Sequence, residues 1–323
     1  MRVMVTGGAG YIGAHASLLL AERGDRVVIL DDLVTGSLAR VSTIPVVQLE
    51  LAGENARQKI AQTLRELRID AVVHFAARKQ VAESIRLPAW YYQQNVGGLA
   101  NVLLGMEDAG VSRLVFSSSA AVYGDANGAV SERDETRPVN PYGETKLVGE
   151  QLIASASRAW GLRAASLRYF NVGGAGRPEL GDSAALNLIP IVFDKLAAGD
   201  PPIIFGDDYP TPDGTCIRDY VHVMDVAEAH LAVLDSLTSV AGHLSLNIGT
   251  GTGTSVREMM NALSTAAGRD ISPVVTARRL GDPASVVATV HDIQRLTGWS
   301  AKRSLADIVE SAWESRQRSI AEN

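Results

Sequence analysis

Cysteine is nearly absent from this sequence, and so are long apolar runs. Cys216 is the only cysteine among 323 residues, so neither a disulfide within the chain nor a cysteine-ligated metal cluster can form. No uncharged apolar run approaches the roughly 18 residues that a membrane-spanning helix needs. The apolar run before Gly7 is also too short for a secretory signal. We therefore expect a cytoplasmic protein that does not bind a membrane.

An excess of positive charge is missing as well. The 36 Asp and Glu outnumber the 30 Lys and Arg, which gives a formal net charge of -6. This charge argues against a nucleic-acid partner, although it leaves room for a local basic pocket. A hydrophobic fraction of 46% is typical of a soluble globular protein, and a chain of this length can form one large α/β unit or two lobes.

What the sequence does contain includes a tyrosine and a lysine four positions apart, at the start of a helical pattern. Because of this spacing, the side chains of Tyr142 and Lys146 leave the same face of the helix. A tyrosine is a poor base at neutral pH, but a neighbouring cation favours the phenolate and would make Tyr142 a general base for an alcohol proton. On an ordinary helix such a pair usually lies on a solvated face. The remaining motifs therefore decide whether Tyr142 and Lys146 are catalytic.

The first thirty-one residues have the pattern of a dinucleotide-binding βαβ unit. A short strand is followed by Gly7-Gly-Ala-Gly-Tyr-Ile-Gly13, an apolar helix and a second strand that ends at Asp31. Gly7 permits a tight turn, Gly10 lets the backbone approach a pyrophosphate, and Gly13 lets the helix pack on the strand. Asp31 would bind the adenosine ribose and repel a 2′-phosphate, which favours NAD over NADP. A purely structural glycine turn is the alternative.

Three serines end a later predicted strand, 113–119. Their side chains would emerge at the carboxyl edge of the sheet, where ligands of open α/β sheets bind. Ser119 lies 23 residues before Tyr142, and its hydroxyl can bond the same substrate oxygen as the tyrosine. Ser117 and Ser118 fit a polar strand end better. The succession of strands and helices predicts an α/β fold with a Rossmann-type doubly wound parallel sheet and a smaller α/β C-terminal lobe.

Several of these motifs together resemble those of the extended short-chain dehydrogenase/reductase superfamily, and within it the UDP-galactose 4-epimerase family. The glycine spacing G-x-x-G-x-x-G and the Ser119, Tyr142 and Lys146 set match the superfamily. Residues 74–84, Arg168-Tyr-Phe-Asn171 and above all the 21 positions 205–225 match the epimerases. The resemblance implies reversible C4 epimerisation of a UDP-hexose, UDP-galactose to UDP-glucose, with a retained NAD.

The resemblance also implies the roles of the reacting groups. Tyr142 would take the proton of the C4 hydroxyl, Ser119 would position that hydroxyl, and Lys146 would keep the phenolate ionised. The C4 hydride would pass to the cofactor and return to the other face of a rotated 4-keto sugar. The implied cofactor contacts are Gly7, Gly10, Tyr11, Ile12, Gly13, Asp31, Asp32, Glu50, Leu51, Phe75, Ala76, Ala77, Lys79, Asn95, Tyr142, Lys146 and Phe170. Glu50 stands where the family has an aspartate beside adenine.

Substrate recognition is implied for the second half of the chain. The implied contacts are Ser119, Tyr142, Asn171, Asn187, Leu188, Ile203, Phe205, Arg218, Arg279, Asp282 and Val286. Two arginines for the pyrophosphate, Arg218 and Arg279, would let an acidic protein bind an acidic substrate. Asp282 would bind the uridine ribose. No metal is expected, because His222 and Asp225 lack a third ligand at suitable spacing.

The glycine-rich segment after residue 172 marks a change in composition. We therefore predict an NAD-binding domain over 1–172 and a mainly UDP-sugar-binding lobe over 173–323, with segments near 219–250 returning to the first domain. Family members commonly dimerise through two helices, here about 92–109 and 142–159, so a homodimer is expected. The apolar side chains of Val96, Leu99, Val102 and Leu103 fit either that interface or the core.

Two alternative functions remain at this stage. Val286 is smaller than the tyrosine of restrictive family members, which would admit another UDP-sugar such as an N-acetylated or pentose form. A non-catalytic NAD-sensing protein is more distant, since it has no need for Ser119, Tyr142 and Lys146 together. Dehydration is disfavoured, because two alanines follow Ser119 where sugar-nucleotide 4,6-dehydratases carry an Asp-Glu pair.

Overall fold

A computed structural model describes residues 1–182, 184, 186–279 and 281–321 of the chain. Its β-strands are β1 (Arg2–Thr6), β2 (Arg26–Asp31), β3 (Val46–Gln48), β4 (Ala71–His74), β5 (Arg113–Ser119), β6 (Gly128–Val130), β7 (Arg163–Tyr169), β8 (Asn171–Gly173), β9 (Ile203–Phe205), β10 (Ile217–His222), β11 (His243–Ile248), β12 (Gly253–Ser255), β13 (Val274–Thr276) and β14 (Ser285–Ala288). Its α-helices are α1 (Tyr11–Glu22), α2 (Ala56–Glu66), α3 (Val81–Arg86), α4 (Pro88–Tyr91), α5 (Gly98–Ala109), α6 (Pro141–Trp160), α7 (Leu188–Ala198), α8 (Val223–Ser236), α9 (Val256–Ala267), α10 (His291–Thr297) and α11 (Leu305–Ala321).

The larger sheet has seven strands in the order β11-β7-β5-β4-β1-β2-β3, and every pairing is parallel. β1 lies between β2 and β4, with Val3 opposite both Val27 and Ala71. Such a sheet is stable only when helices cover both faces, which explains the nearly continuous apolar sequence of its strands. The predicted Rossmann-type doubly wound sheet is therefore confirmed.

Two apolar clusters fill the space between this sheet and its helices. On one face, Leu20 of α1 and Val233 of α8 are fully buried in the same cluster as Val3 and Val5. The cluster on the other face contains side chains of α2, α5 and α6, among them Ile60, Leu99, Val102, Leu103 and Ile153. The sequence left open whether the apolar side chains of α5 belong to the core or to an interface. Leu99, Val102 and Leu103 belong to the core.

A second, smaller set of strands belongs to the other lobe. β10 pairs with β8 and β14 in parallel and with β12 in antiparallel orientation, and β14 also pairs with β6. β9 and β13 form a separate parallel pair. Helices α7, α9 and α11 bury Phe193, Met259, Leu263 and Ile308 against them. This is the expected smaller α/β lobe.

The chain passes between the two sheets more than once. β6 lies early in the sequence but pairs in the second sheet, whereas β11 comes late and extends the first sheet beyond β7. After β7 the chain returns to the second sheet at Asn171, where β8 pairs with β10. α8 packs on the same core as α1. The limits of the two domains, 1–172 and 173–323, stay a prediction.

Local signals account for several element ends. Ser255 caps α9: its hydroxyl accepts from the Glu258 amide while the Glu258 carboxylate accepts from the Ser255 amide. The strand within the apolar run 44–51 is limited to β3, and residues 92–97 form a π-helical turn before α5. Within the described part of the chain, no helix combines the length and the apolar character needed to cross a membrane.

Candidate functional site

A cavity of about 350 Å³ opens at the carboxyl edge of the seven-stranded sheet, around the ends of β1, β2 and β4 and the start of α6. Most of the residues predicted to contact the cofactor line it: Gly7, Gly10, Tyr11, Ile12, Gly13, Asp31, Asp32, Leu51, Phe75, Ala76, Ala77, Lys79, Asn95, Tyr142 and Lys146. Glu50 and Phe170 do not. The glycine motif and the Tyr142–Lys146 pair, more than a hundred residues apart in sequence, therefore share one cavity.

Steric limits explain the glycine turn between β1 and α1. Gly7 has φ +68°, and a Cβ there would lie 2.5 Å from the backbone nitrogen of Ala76. A Cβ on Gly13 would lie 2.2 Å from the carbonyl oxygen of Gly7. Gly10 precedes the first turn of α1 in an extended conformation, so the helix N-terminus faces the cavity with its unpaired amides. The turn thus fits the binding of a pyrophosphate.

Asp31 ends β2 beside this turn and is nearly buried. Its carboxylate accepts hydrogen bonds from the amides of Ala9 (3.0 Å) and Leu33 (2.9 Å). Burial raises the pKa of Asp31, and these two amide bonds act in the opposite direction. Each carboxylate oxygen can still accept a further bond, so the side chain fits the predicted contact with a ribose hydroxyl.

The start of α6 places Tyr142 and Lys146. The Asn140 side chain caps the helix by accepting from the Gly143 amide (2.9 Å), and Pro141 occupies the first helical position. Lys146 is buried and donates to the Ser117 carbonyl oxygen (2.7 Å). Its ammonium lies 5.9 Å from the centre of the Tyr142 ring. The lysine is therefore held below the tyrosine on the same helix face, as the spacing predicts.

The third predicted group joins the same place from the end of β5. Ser119 lies beside Tyr142, and the interaction of its hydroxyl with the phenol acts to lower the pKa of Tyr142. Its Oγ also accepts from the Ala121 amide (3.1 Å), which fixes the turn that follows the strand. The structure thus brings Ser119, Tyr142 and Lys146 together.

Electrostatically, the site differs from the simplest expectation. Burial raises the pKa of Tyr142 above its ordinary value, and Ser119 only partly offsets this. Burial also lowers the pKa of Lys146 to about 7, while the Glu150 carboxylate acts to raise it. Removal from water disfavours both charged forms, so the neutral phenol is the favoured form of Tyr142 in the protein alone. The role of Lys146 in keeping Tyr142 ionised therefore stays a prediction for the protein with its cofactor bound.

Residues around the site that the sequence did not single out have identifiable roles. Ser118 donates to Glu150, which also binds Arg168 in a buried ion pair (2.6 Å). The Tyr169 hydroxyl bonds Ser117, whose carbonyl oxygen holds Lys146. The three serines of β5 thus have three different partners. The signal that points to Glu150 is its position four residues after Lys146, on the same helix face.

Asn95 and Glu50 illustrate two outcomes at the cofactor side. Asn95 lines the cavity, where its amide accepts from Arg78 N (2.7 Å) and donates to Arg78 O (3.0 Å), so it holds the backbone after β4. Glu50 instead points to solvent and accepts from Gln94 Nε2 (2.8 Å). Phe170 packs with Val122, outside the cavity.

Four of the predicted substrate residues in the second lobe contact one another in two pairs. Arg218 donates to the Asp282 carboxylate (2.8 Å) and pairs in register with Val286. The Arg279 guanidinium lies 3.8 Å from the centre of the Phe205 ring.

The other predicted substrate residues take up their positions in the same lobe. Asn187, which precedes Leu188 at the start of α7, donates from its side-chain amide to the Asp182 carboxylate (2.9 Å). Ile203 begins β9, and Asn171 begins β8 opposite Tyr220.

Val286 connects the predicted substrate residues of the second lobe with the segment that follows β5. It packs with Val122 and Tyr123, in the same cluster as Ala120 and Phe170. Ala120 directly follows Ser119, so Val286 belongs to the cluster that adjoins the end of β5, although it is 144 residues away from Tyr142 in sequence. No flanking sequence motif fixes the position of Val286. The pairing of β10 with β14 fixes it in the structure.

Cavity volume alone would not identify the site. A larger cavity, of about 740 Å³, lies between α7, α11 and the segment after β8, and only Tyr11 among the cofactor-motif residues lines it. Among the described residues, no three His, Cys, Asp or Glu are grouped as metal ligands. His222 instead caps α8 by accepting from the Met224 amide, and Asp225 binds Arg303.

Comparison with known proteins agrees with this geometry. Residues 3–249 match the NAD dependent epimerase/dehydratase family. A UDP-glucose 4-epimerase from Halalkalibacterium halodurans is 41% identical over 319 residues, which cover 97% of this chain and 95% of the relative. A crystal structure of UDP-glucose-4-epimerase from Stenotrophomonas maltophila, with bound NAD and formylated UDP-arabinopyranose, has a TM-score of 0.94 and 41% identity over 99% of both chains. One from Brucella ovis in complex with NAD has a TM-score of 0.92 and 38% identity over 97% of both.

Proposed function

The chain belongs to the NAD-dependent epimerase/dehydratase family, and from that premise we propose that it interconverts UDP-galactose and UDP-glucose by epimerisation at C4. The observation that carries this proposal is the grouping of Ser119, Tyr142 and Lys146, of which Tyr142 and Lys146 line the cavity of the glycine motif. A protein that only senses NAD has no need for these three groups in one place.

The residues around the glycine turn fit NAD as the cofactor. Gly7 and Gly13 leave no space for a side chain, the first turn of α1 offers amides to a pyrophosphate, and Asp31 faces the ribose position. When bound, NAD accepts the hydride from C4 and returns it, so the reaction has no net redox change. Tyr142, Lys146 and Asn95 line the same cavity and would hold the other half of the dinucleotide.

Tyr142 is the group we assign to proton transfer at the C4 hydroxyl. Its phenolate is disfavoured by burial, so positive charge and hydrogen-bond donors must favour it during the reaction. Ser119 supplies a donor, and Lys146 supplies the charge in its protonated form. Because burial lowers the pKa of Lys146 to about 7, this charge is present below neutral pH and is lost above it in the protein without ligands.

The second lobe would hold the UDP part of the substrate. Arg218 and Arg279 are assigned to the pyrophosphate, since each can donate two bonds to phosphate oxygens. Asp282 is assigned to the uridine ribose, and Phe205 with Ile203 to the uracil. The chemistry of the two arginines supports this assignment: they are the groups best suited to carry a doubly charged ligand on a protein of net charge -6. Asn171, Asn187 and Leu188 complete the proposed set.

Three further features belong to the proposal at a lower level of detail. We assign residues 1–172 to the NAD-binding domain and 173–323 mainly to the UDP-sugar lobe. A homodimer through the outer faces of α5 and α6 is supported by Leu104, whose side chain on α5 is 37% exposed. The cytoplasmic location rests on the sequence composition alone.

The direct test is to incubate the purified protein with UDP-galactose, without added NAD, and to follow UDP-glucose. Product is expected, since the cofactor is regenerated in each cycle. Tyr142→Phe should reduce turnover about a hundredfold or more, as expected for the loss of a general base. Its control is Tyr92→Phe, which removes an exposed phenol that bonds Glu144. Unchanged turnover in a folded Tyr142→Phe protein would refute the assignment. No product even with NAD would point to another UDP-sugar, with UDP-N-acetylglucosamine tried first.

A further inference from the structure

An ion pair crosses the cofactor cavity between two strands that are not neighbours. Asp32 follows the end of β2, and Arg78 follows β4 by four residues. β1 lies between these strands in the sheet, so their carboxyl ends are about 9.5 Å apart. The Arg78 guanidinium nevertheless bonds the Asp32 carboxylate. The Arg78–Asp32 bridge therefore spans the width of β1 at this edge of the sheet.

Both ends of the Arg78–Asp32 bridge are held by further contacts. Asn95 binds the Arg78 backbone at both its nitrogen (2.7 Å) and its oxygen (3.0 Å). The guanidinium lies 5.4 Å from the centre of the Trp90 ring and also approaches Gln94 Oε1 (3.3 Å). At the other end, Asp32 accepts from the Val34 amide (3.0 Å). The bridge is thus placed by the fold and is more than a contact between two mobile side chains.

The bridge is also shielded from water more than an ordinary surface pair. The side chains of Arg78 and Asp32 are 13% and 23% exposed. By comparison, the Arg57–Asp108 pair on the outer side of α2 has exposures of 44% and 31%. Exposed pairs are weak and screened, whereas a partly desolvated pair with additional hydrogen bonds is stronger. Asp32, Arg78 and Trp90 all line the cavity on the side of Asp31.

From this placement we propose that the Arg78–Asp32 bridge retains the cofactor, by closing the adenosine end of the cavity after the dinucleotide has bound. The inference rests on the proposed function only in taking NAD as the ligand. A cofactor that is regenerated in each cycle does not need to leave, so slow release carries no disadvantage for turnover. Release would require the bridge to open, and the contacts with Asn95, Trp90 and Gln94 oppose that opening.

The bridge has a second consequence for cofactor choice. In the folded chain the Asp32 carboxylate neutralises the Arg78 guanidinium, which lies close to the ribose position at Asp31. An arginine without this partner is the group that accommodates a 2′-phosphate in NADP-binding proteins. Removing Asp32 should therefore do more than open the cavity: it should also release a cation towards NADP. Removing Arg78 should only open the cavity.

The test measures release of NAD from the loaded protein, without any sugar substrate. The holoprotein is freed of excess NAD by gel filtration, and bound NAD is quantified over time in the presence of an enzyme that consumes free NAD. Arg78→Leu and Asp32→Asn should each release NAD about tenfold faster than the wild type. Arg57→Leu, which breaks the exposed pair on α2, should release at the wild-type rate. Arg78→Lys, which keeps the charge without the planar fork, should lie in between.

The two variants are then separated by NADP binding. Asp32→Asn should bind NADP more tightly than the wild type, whereas Arg78→Leu should not. Wild-type release rates in both folded variants would overturn the proposal, and thermal melting identifies a variant that has lost its fold. A wild-type protein that retains NAD but fails to epimerise any UDP-sugar would instead refute the proposed function alone. A wild type that binds no NAD would refute both.

Discussion

The two lobes prepare their ligand sites in different ways. On the cofactor side, Gly7 and Gly13 are fixed by backbone sterics, and Lys146 is held by a carbonyl oxygen of the neighbouring strand. On the substrate side, the groups assigned to the ligand satisfy one another: Arg218 binds Asp282, and Arg279 stacks on Phe205. The glycine turn and Lys146 are thus in place before the ligand arrives, whereas the proposed UDP site must exchange internal contacts for ligand contacts.

The strands of the two sheets provide the physical reason for this difference. The large sheet is parallel throughout and covered by helices on both faces, so its strand ends are rigid positions for side chains. The second lobe is built on strands that are mostly three or four residues long, joined by longer connections. Part of the affinity for a UDP-sugar is therefore offset by breaking the Arg218–Asp282 pair, while NAD meets no such cost at the glycine turn.

The largest expected effect comes from breaking the substrate side at Arg218. Arg218→Leu should raise KM for UDP-galactose by about 10- to 100-fold, because charge-assisted hydrogen bonds contribute about 1.5–3 kcal/mol each. Retention of NAD should not change, since the two sites are prepared independently. Steady-state kinetics and NAD content measure the two properties separately.

Asp282→Ala provides the matched control for this prediction. It opens the Arg218–Asp282 pair and removes the proposed ribose contact, but it leaves the arginine free for the doubly charged pyrophosphate, so its effect on KM should be smaller than that of Arg218→Leu. A KM for Arg218→Leu within twofold of the wild type would contradict the assignment of the pyrophosphate contact.

An effect of intermediate size is expected on the pH dependence of stability, from His230 in the core of the cofactor lobe. This histidine is fully buried on α8, its Nε2 has no partner among the described residues, and burial lowers its pKa to about 4. The unfolded chain takes up the proton near pH 6.5, so stability is complete above that pH and falls as the pH drops towards 4. At pH 5 the loss from this one residue is about 2 kcal/mol.

His230→Leu should remove this loss. The free energy of unfolding of the variant should fall by about 2 kcal/mol less than that of the wild type between pH 7.5 and pH 5. Denaturant titrations at the two pH values measure the difference. His243→Leu should change the pH dependence of stability less. His243 is only half-buried and its ring bonds Ser166, although burial lowers its pKa as well. Identical pH dependence of His230→Leu and the wild type would show that His230 does not carry this penalty.

The smallest effect concerns the contact between the lobes at Val286. Its side chain packs on the cluster that follows Ser119, so Val286→Tyr should fill space near the sugar. We expect the rate with UDP-N-acetylglucosamine to fall about tenfold, while the rate with UDP-galactose stays within about twofold. Equal loss with both sugars would mean that the tyrosine disturbs the fold. Equal rates of wild type and variant with UDP-N-acetylglucosamine would remove Val286 from the specificity set.

Much of the fold could be predicted because its signals are local. The glycine turn, the apolar strands of the large sheet and the Ser255 cap each depend on residues close in sequence. The short strands of the second lobe could not be predicted in the same way. A three-residue strand such as β6 has no periodicity of its own and forms only because β14 lies beside it.

The sequence by itself determined which chemistry is possible: a dinucleotide turn at Gly7–Gly13, an acidic end to β2, and a tyrosine and a lysine on one helix face. Only the tertiary structure decided which charged side chains are paired within the protein and which are free to bind a ligand. Arg78 meets Asp32 across 46 residues and Arg218 meets Asp282 across 64, so no local pattern reveals either pair. Burial likewise decided that Tyr142 favours its neutral form, because the cost of leaving water depends on everything packed around the phenol.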